Sequence, residues 1–360
     1  MNKKILAFVL ACTAVMSLAG CGKDPNAPRY AFVTDMKGTD SGINAKIWGL
    51  INAQAEPAEY NTIACTPEEE TAEGYDKAFS EAVKAGAKLI FASGKEMGPY
   101  VYSAAKSYEK VSFVLIGGDA LPGDDVTEEA ALPGNALSME PAVEQGGFVE
   151  GYAAVRNGYR NIAVMAGRKS EENERRVAGF LQGAETAAGE MELGAGSIAV
   201  TCEYAGSDEL TPLRMSEALD LYDAGVETIF VTSEGIGTAV ARAAELKGKT
   251  FFAAGGDLVE KEPTCLMGIT SQIEKACITA IRRFESESGF AGGAVVDCGF
   301  REDCLVRTAD FSRFASFTEE DCAAVIDKIV NGTYIVTPKR TEKAGSPLVL
   351  TESAPKGGGQ

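Results

Sequence analysis

Phe113-Val114-Leu115-Ile116-Gly117-Gly118-Asp119 is echoed in the second half of the chain by Phe251-Phe252-Ala253-Ala254-Gly255-Gly256-Asp257. Each is a short, unbroken apolar run that stops at Gly-Gly-Asp. An apolar run without alternation is what a strand needs when helices cover both faces of its sheet, the situation of parallel sheets. A second echo lies just upstream of each. Ala82-Val83-Lys84-Ala85-Gly86-Ala87-Lys88-Leu89-Ile90-Phe91 matches Leu221-Tyr222-Asp223-Ala224-Gly225-Val226-Glu227-Thr228-Ile229-Phe230 in pattern. Both stretches are a helix end, a glycine cap and a strand. The chain is therefore built twice from the same βα unit.

Working outward, the same alternation predicts strands over 30–34, 62–65, 88–92, 112–116, 161–165, 197–203, 228–231 and 250–254. Helices are expected over 72–84, 141–156, 172–187, 213–223 and 236–246, with four units before Pro141 and four after it. This is the α/β class, in two lobes with parallel sheets, and the length agrees, since one core rarely serves so many residues. Beyond Cys265 the unit is not repeated simply. Thr270-Ser271-Gln272 is expected to open a helix running to Phe284, followed by a glycine-rich break, a hairpin over 295–306 and a helix over 319–330. Such a tail can recross between lobes. In open parallel sheets ligands sit beyond the carboxyl ends of the strands, so the Gly-Gly-Asp turns are expected to face a shared cleft. The plainer alternative is that the glycines shape turns and the aspartates cap the helices that follow.

At the N-terminus, Lys3 and Lys4 precede an apolar run over 5–18 that is too short for a membrane helix of about 20 residues. It reads as a signal peptide over 1–20. Leu18-Ala19-Gly20-Cys21 is a lipobox, so Cys21 is expected to carry a thioether-linked diacylglycerol, whose two acyl chains anchor it, and become the first residue of an extracytoplasmic protein. The net charge of −18 is spread along the chain with no basic patch, which argues against a nucleic-acid partner. The sequence has no histidine, which removes Ser-His-Asp and Cys-His nucleophile arrangements and histidine zinc sites. Of nine cysteines, seven lie beyond Cys21 and none forms a CxxC pair, so neither a metal nor another cofactor is expected. Cys298 and Cys304 can close a small loop, and buried free thiols fit equally well.

Further signals come in order: Phe32-Val33-Thr34-Asp35, Gly38, Asp40, Ile43-Asn44 and Trp48; then Ser93-Gly94; Gly147 with Gly151-Tyr152-Ala153-Ala154; Ala166-Gly167 with Gly179-Phe180 and Gly183-Ala184; and Gly235 with Gly237. In this order the sequence resembles the basic membrane protein family of substrate-binding lipoproteins over nearly the whole mature chain. The resemblance implies a type I periplasmic-binding-protein fold, with two Rossmann-like lobes that hinge shut on a nucleoside, purine favoured. It also implies ABC permease subunits as partners, a membrane anchor through Cys21, and no enzymatic activity. The expected lobes are 29–138 plus 271–300 and 139–270 plus 301–350, with a tether over 21–28 and a Gly-rich, disordered tail over 351–360. Ligand contacts are expected from Asp35, Asp40, Ile43, Asn44, Gly94, Asp119, Gly235 and Asp257. Carboxylates suit ribose hydroxyls, and the Asn44 amide suits a base edge because it both donates and accepts.

The sequence departs from the family at three of these places. Ile43 stands where relatives commonly carry an aromatic that stacks on the base, Gly117 where they end the strand in Asp, and Glu274 where they carry a lysine. A different small polar ligand is the first alternative, and a ligand-sensing surface lipoprotein is another. A nucleoside hydrolase using Asp35 and Asp257 as a carboxylate pair is a minor one. Trp48 is expected in the core of its lobe rather than on the ligand.

Overall fold

The strands form where apolar runs allow burial on both faces and the helices form between capping signals. The computed structural model describes residues 28–122 and 131–353. The signal peptide, Cys21 and the tether up to residue 27 lie outside these residues, as does the tail from 354 onward.

In chain order the elements are β1 (Pro28–Val33), α1 (Gly42–Ala55), β2 (Asn61–Cys65), α2 (Ala72–Ala85), β3 (Leu89–Ser93), α3 (Gly98–Ser107), β4 (Ser112–Ile116) and β5 (Ala136–Pro141). The chain continues through α4 (Val143–Arg156), β6 (Asn161–Ala166), α5 (Glu171–Glu190), β7 (Ile198–Tyr204), α6 (Pro212–Asp223), β8 (Thr228–Val231), α7 (Glu234–Lys247), β9 (Thr250–Ala253) and α8 (Asp257–Lys261). It closes with β10 (Cys265–Ser271), α9 (Ala276–Glu285), β11 (Ala294–Cys298), β12 (Leu305–Ala309), α10 (Glu319–Val330) and β13 (Leu348–Ser353). Caps mark several helix ends. Thr71 and Ser170 accept the Gly74 and Asn173 amides at the starts of α2 and α5, and Gly86 ends α2 in the left-handed region at φ 107°. A left-handed residue of this kind is the usual glycine stop.

The strands make two sheets. The first, in order β11-β5-β4-β3-β1-β2, is parallel throughout. The second, β12-β10-β9-β8-β6-β7-β13, is parallel except for antiparallel β12 on β10. Each sheet is covered on both faces, giving two cores per lobe. This is the type I periplasmic-binding-protein architecture, with two Rossmann-like lobes joined by crossing segments.

Three segments cross between the lobes: β5 to α4, β10 to α9, and β11 to β12. They are laced together. The Ala142 amide donates to the Cys298 carbonyl at 3.1 Å, the Gln272 amide to the Cys304 carbonyl at 2.7 Å, and the Phe300 amide to the Gln145 side-chain oxygen at 3.2 Å.

Several elements differ from the sequence expectation. The hairpin over 295–306 is not one: β11 pairs with β5 in the first sheet and β12 with β10 in the second, so the turn between them is a lobe crossing. Thr270 and Ser271 end β10 rather than opening a helix, and α9 starts at Ala276. Pro141, which opens the expected 141–156 helix, belongs instead to the end of β5, with α4 starting at Val143, and Ser353 closes β13. All seven described cysteines are buried and free, including Cys298 and Cys304 on either side of the crossing turn.

Candidate ligand-binding site

Strand order places the site. In the first sheet β2 and β3 flank β1, so the connections leaving β1 and β3 depart to opposite faces and open a crevice at their carboxyl ends. β1 runs into Asp35, and β3 ends at Ser93-Gly94. The Asn44 side chain, buried at 4 % exposure in the first turn of α1, ties the crevice together. Its amide donates to Asp35 Oδ1 at 2.8 Å and to the Gly38 carbonyl at 2.9 Å, and its oxygen accepts the Ser93 hydroxyl at 2.7 Å. Asp35 also accepts the Lys37 backbone amide at 3.1 Å and pairs with the Lys37 ammonium at 3.5 Å. Both amide hydrogens of Asn44 are thereby occupied, and its role in this structure is to orient Asp35 and the 38–44 loop.

These groups line a cavity of about 420 Å³ whose other walls come from α2 and α3. Tyr75, Met97 and Tyr100 give it an apolar side, and Met36 and Ile43 stand at its rim, 44 % and 40 % exposed. Gly94 contributes backbone in the left-handed region at φ 91°. The sequence expectation contained Asp35, Ile43, Asn44 and Gly94, and the structure brings these four into one cavity. Tyr75 and Tyr100 were missed, because a residue on one face of a helix gives no local sign that the helix borders a ligand.

A second cavity, of about 380 Å³, lies where the lobes meet. The first sheet and the loops at its carboxyl end contribute Lys95, Asp119, Asp297 and, from the end of β5, Glu140, and α5 beside the second sheet contributes Glu171 and Arg175. The first Gly-Gly-Asp turn is needed sterically: Gly117 sits at φ 73°, and a Cβ on Gly118 would come within 2.5 Å of the Lys95 Cα. Burial raises the Asp119 carboxyl above the usual range, with Glu171 adding to it. Burial and then Asp119 push Glu140 up to about 7, against the opposing charge of Arg175. Arg175 is committed to Glu144 through two hydrogen bonds of 2.8 and 3.1 Å, and it also reaches Asp297 across the lobe boundary at 3.6 Å.

The remaining expected residues lie elsewhere. The Asp40 carboxylate is exposed beside Thr39 and lines neither cavity. Gly235 opens α7 where its missing side chain lets the helix approach the Asp208 carbonyl, 2.3 Å from an added Cβ. Asp257 is 78 % exposed and paired with Lys261 at 3.5 Å. Neither lines the two cavities, so Asp35 and Asp257 share no pocket as a carboxylate pair would require. Glu274 is nearly buried against Lys46 of α1 at 3.2 Å. Trp48 packs on the core beneath α1, as expected.

Solved structures share this architecture. An ABC transporter solute-binding protein from Conexibacter woesei aligns with TM-score 0.56 and 14 % identity over 86 % of this chain and 98 % of its own. A transcriptional activator of the comK gene from Bacillus halodurans aligns with TM-score 0.57 and 16 % identity over 84 % and 96 %. At such identities the likeness establishes the fold. Among curated relatives, basic membrane protein B of Borrelia garinii subsp. bavariensis is 23 % identical over 82 % of this chain and 86 % of its own length, and basic membrane protein A2 of the same organism is 19 % identical over 93 % and 96 %.

The fold and the cleft are those of a two-lobed binding protein. Residues 27–340 match the family described as ABC transporter substrate-binding protein PnrA-like, and the chain belongs to that family. It is therefore a substrate-binding component of an ABC transport system, facing outward toward a small ligand and working with a permease, and not an enzyme.

Proposed function

We propose that the chain is a lipid-anchored receptor that captures a nucleoside, purine favoured, and passes it to its permease. The observation that carries this reading is the lobe 1 cavity, where a fixed carboxylate, Asp35, faces the same space as the apolar side formed by Tyr75, Met97 and Tyr100. A nucleoside has that composition: hydroxyls that donate to carboxylates, and a flat ring that needs an aromatic or apolar wall. The volume falls within the range of small-ligand sites. The lipobox at Cys21 supports anchoring, and the lobes over 29–138 plus 271–300 and 139–270 plus 301–350 are proposed as the two moving bodies. Asp119 and Asp257 are proposed to meet the ligand as the lobes close.

The second cavity favours one other reading, a small polar ligand with a cationic group. Asp119, Glu140, Glu171 and Asp297 outnumber Lys95 and Arg175 there, and Arg175 is already paired with Glu144. A thermal-shift screen of the chain without residues 1–21 against nucleosides, free bases, sugars, amino acids and polyamines separates the two. Ligand at a hundred times its Kd adds about 2.7 kcal/mol to stability, so a true ligand is plain in such a screen. Purine nucleosides are expected to raise the midpoint. Silence from every nucleoside with a response to an amine would replace the first reading by the second.

A further inference from the structure

Position 43 holds a branched aliphatic side chain at the cavity rim, which offers no π-face, yet the same cavity is walled by a stacked tyrosine pair. Tyr75 of α2 and Tyr100 of α3 lie with ring centroids 4.2 Å apart and planes 20° from parallel. Tyr75 is 3 % exposed and packs in the core of lobe 1, whereas Tyr100 is half-buried. Both rings line the cavity; Tyr75 covers one face of Tyr100, and of the two Tyr100 is the more exposed. Such a backed ring is pre-ordered, so a ligand ring stacking on it has little side-chain entropy to freeze. Met97, 2 % exposed, adds a polarisable thioether to the same wall.

We infer that Tyr100 is the platform on which the ligand's ring stacks, and that this platform in α3, backed by Tyr75, sets the preference for a two-ring over a one-ring base in place of an aromatic at position 43. The inference rests on the nucleoside reading above and adds to it the residue that discriminates. A purine covers more of the tyrosine face than a pyrimidine, and base–aromatic stacking is worth a free energy that corresponds to about fivefold to 150-fold in affinity per base. Discrimination by ring size follows without any hydrogen bond to the base.

Titration calorimetry with inosine and uridine tests this on the wild-type chain, Tyr100→Phe and Tyr100→Leu. Tyr100→Phe keeps the face and should bind inosine within about twofold of wild type. Tyr100→Leu should weaken inosine by about fivefold to 150-fold and uridine by less, so that the preference narrows. Wild-type binding of inosine with Tyr100→Leu inside twofold overturns the platform and leaves the nucleoside reading standing. Failure of the wild-type chain to bind either nucleoside overturns both. Should Tyr100→Leu not fold, nitration of Tyr100 in the wild-type chain by tetranitromethane decides. Protection by inosine, mapped by peptide mass, supports the platform, and unchanged nitration in saturating inosine overturns it.

Discussion

Glu150 is a carboxyl group sealed inside lobe 2. It is fully buried, and among the described residues no side chain bonds its oxygens, with only Arg176 and the Ile269 backbone favouring its charged form. Burial drives its pKa well above the ordinary 4.5, and the nearby Arg176, itself bonded to Glu172 at 2.8 Å, opposes this only in part. In the unfolded chain the group ionises normally, so folding takes up a proton once the pH exceeds about 4.5. Stability from this group is therefore whole at lower pH and lost as pH rises toward the folded pKa, at most about 1.4 kcal/mol per pH unit. Glu150→Gln lacks the proton and should gain on wild type as urea denaturation is repeated from pH 5 to 8. Parallel stability curves for the two chains would show that Glu150 stays ionised in the fold. At this scale the sequence was partly legible. Asn44 and Asp35 stood out as a motif, whereas the use of Asn44 as a brace for Asp35 depended on Ser93, which arrives from another strand.

Helices α4 and α5 show what a glycine pattern means once partners are known. A Cβ on Gly151 would lie 2.0 Å from the Phe180 carbonyl oxygen, and one on Gly183 would lie 1.9 Å from that of Phe148. Gly147 and Gly179 meet the facing backbone as closely, at 2.2 and 2.0 Å. The two helices thus cross backbone to backbone. Gly151→Ala should cost about 1–3 kcal/mol or more, because neither backbone can yield without moving its sheet. Gly189, in the last turn of α5, has nothing near an added Cβ, and Gly189→Ala should be neutral or stabilising by up to about 1 kcal/mol. Chemical denaturation of both variants checks the contrast, and equal losses would refute the crossing as the cause. In the sequence these glycines were recognisable only as marks of resemblance, since spacing within one helix does not say which helix it meets. The same limit explains the false hairpin. Val295 and Val306 carry ordinary strand signals, but the partners of their strands, β5 and β10, are far away in the chain.

At the scale of the whole molecule the lobes face each other across an acidic boundary. Burial first, then the charges of Asp119, Glu171 and Asp297 against that of Arg175, push the Glu140 carboxyl up to about 7 from the ordinary 4.5. As a group with a raised pKa it contributes stability that is present below about pH 4.5 and lost by about pH 7. Glu140→Gln should flatten that part of the fall in thermal midpoint between pH 4.5 and 7, and an unaltered profile would place Glu140 in ordinary solvent. The two-lobed plan was legible because it is written twice, in the repeated helix-glycine-strand and Gly-Gly-Asp stretches. The interlobe chemistry was not, since Glu140, Glu171 and Asp297 belong to three elements that only the crossings bring together.

Those crossings also fix the order in which the chain can finish folding. The outer edge of β5 is covered only by β11, and the outer edge of β7 only by β13, so each sheet waits for a strand from the last fifth of the chain. A chain that appears N-terminus first carries a bare strand edge in its first lobe until residues near 298 are free, and one in its second until those near 353 are free. An open edge is both unstable and prone to pair with strangers. Until then the backbone groups along β5 and β7 stay open to strands of other chains, and it is the last fifth of the sequence that takes those places.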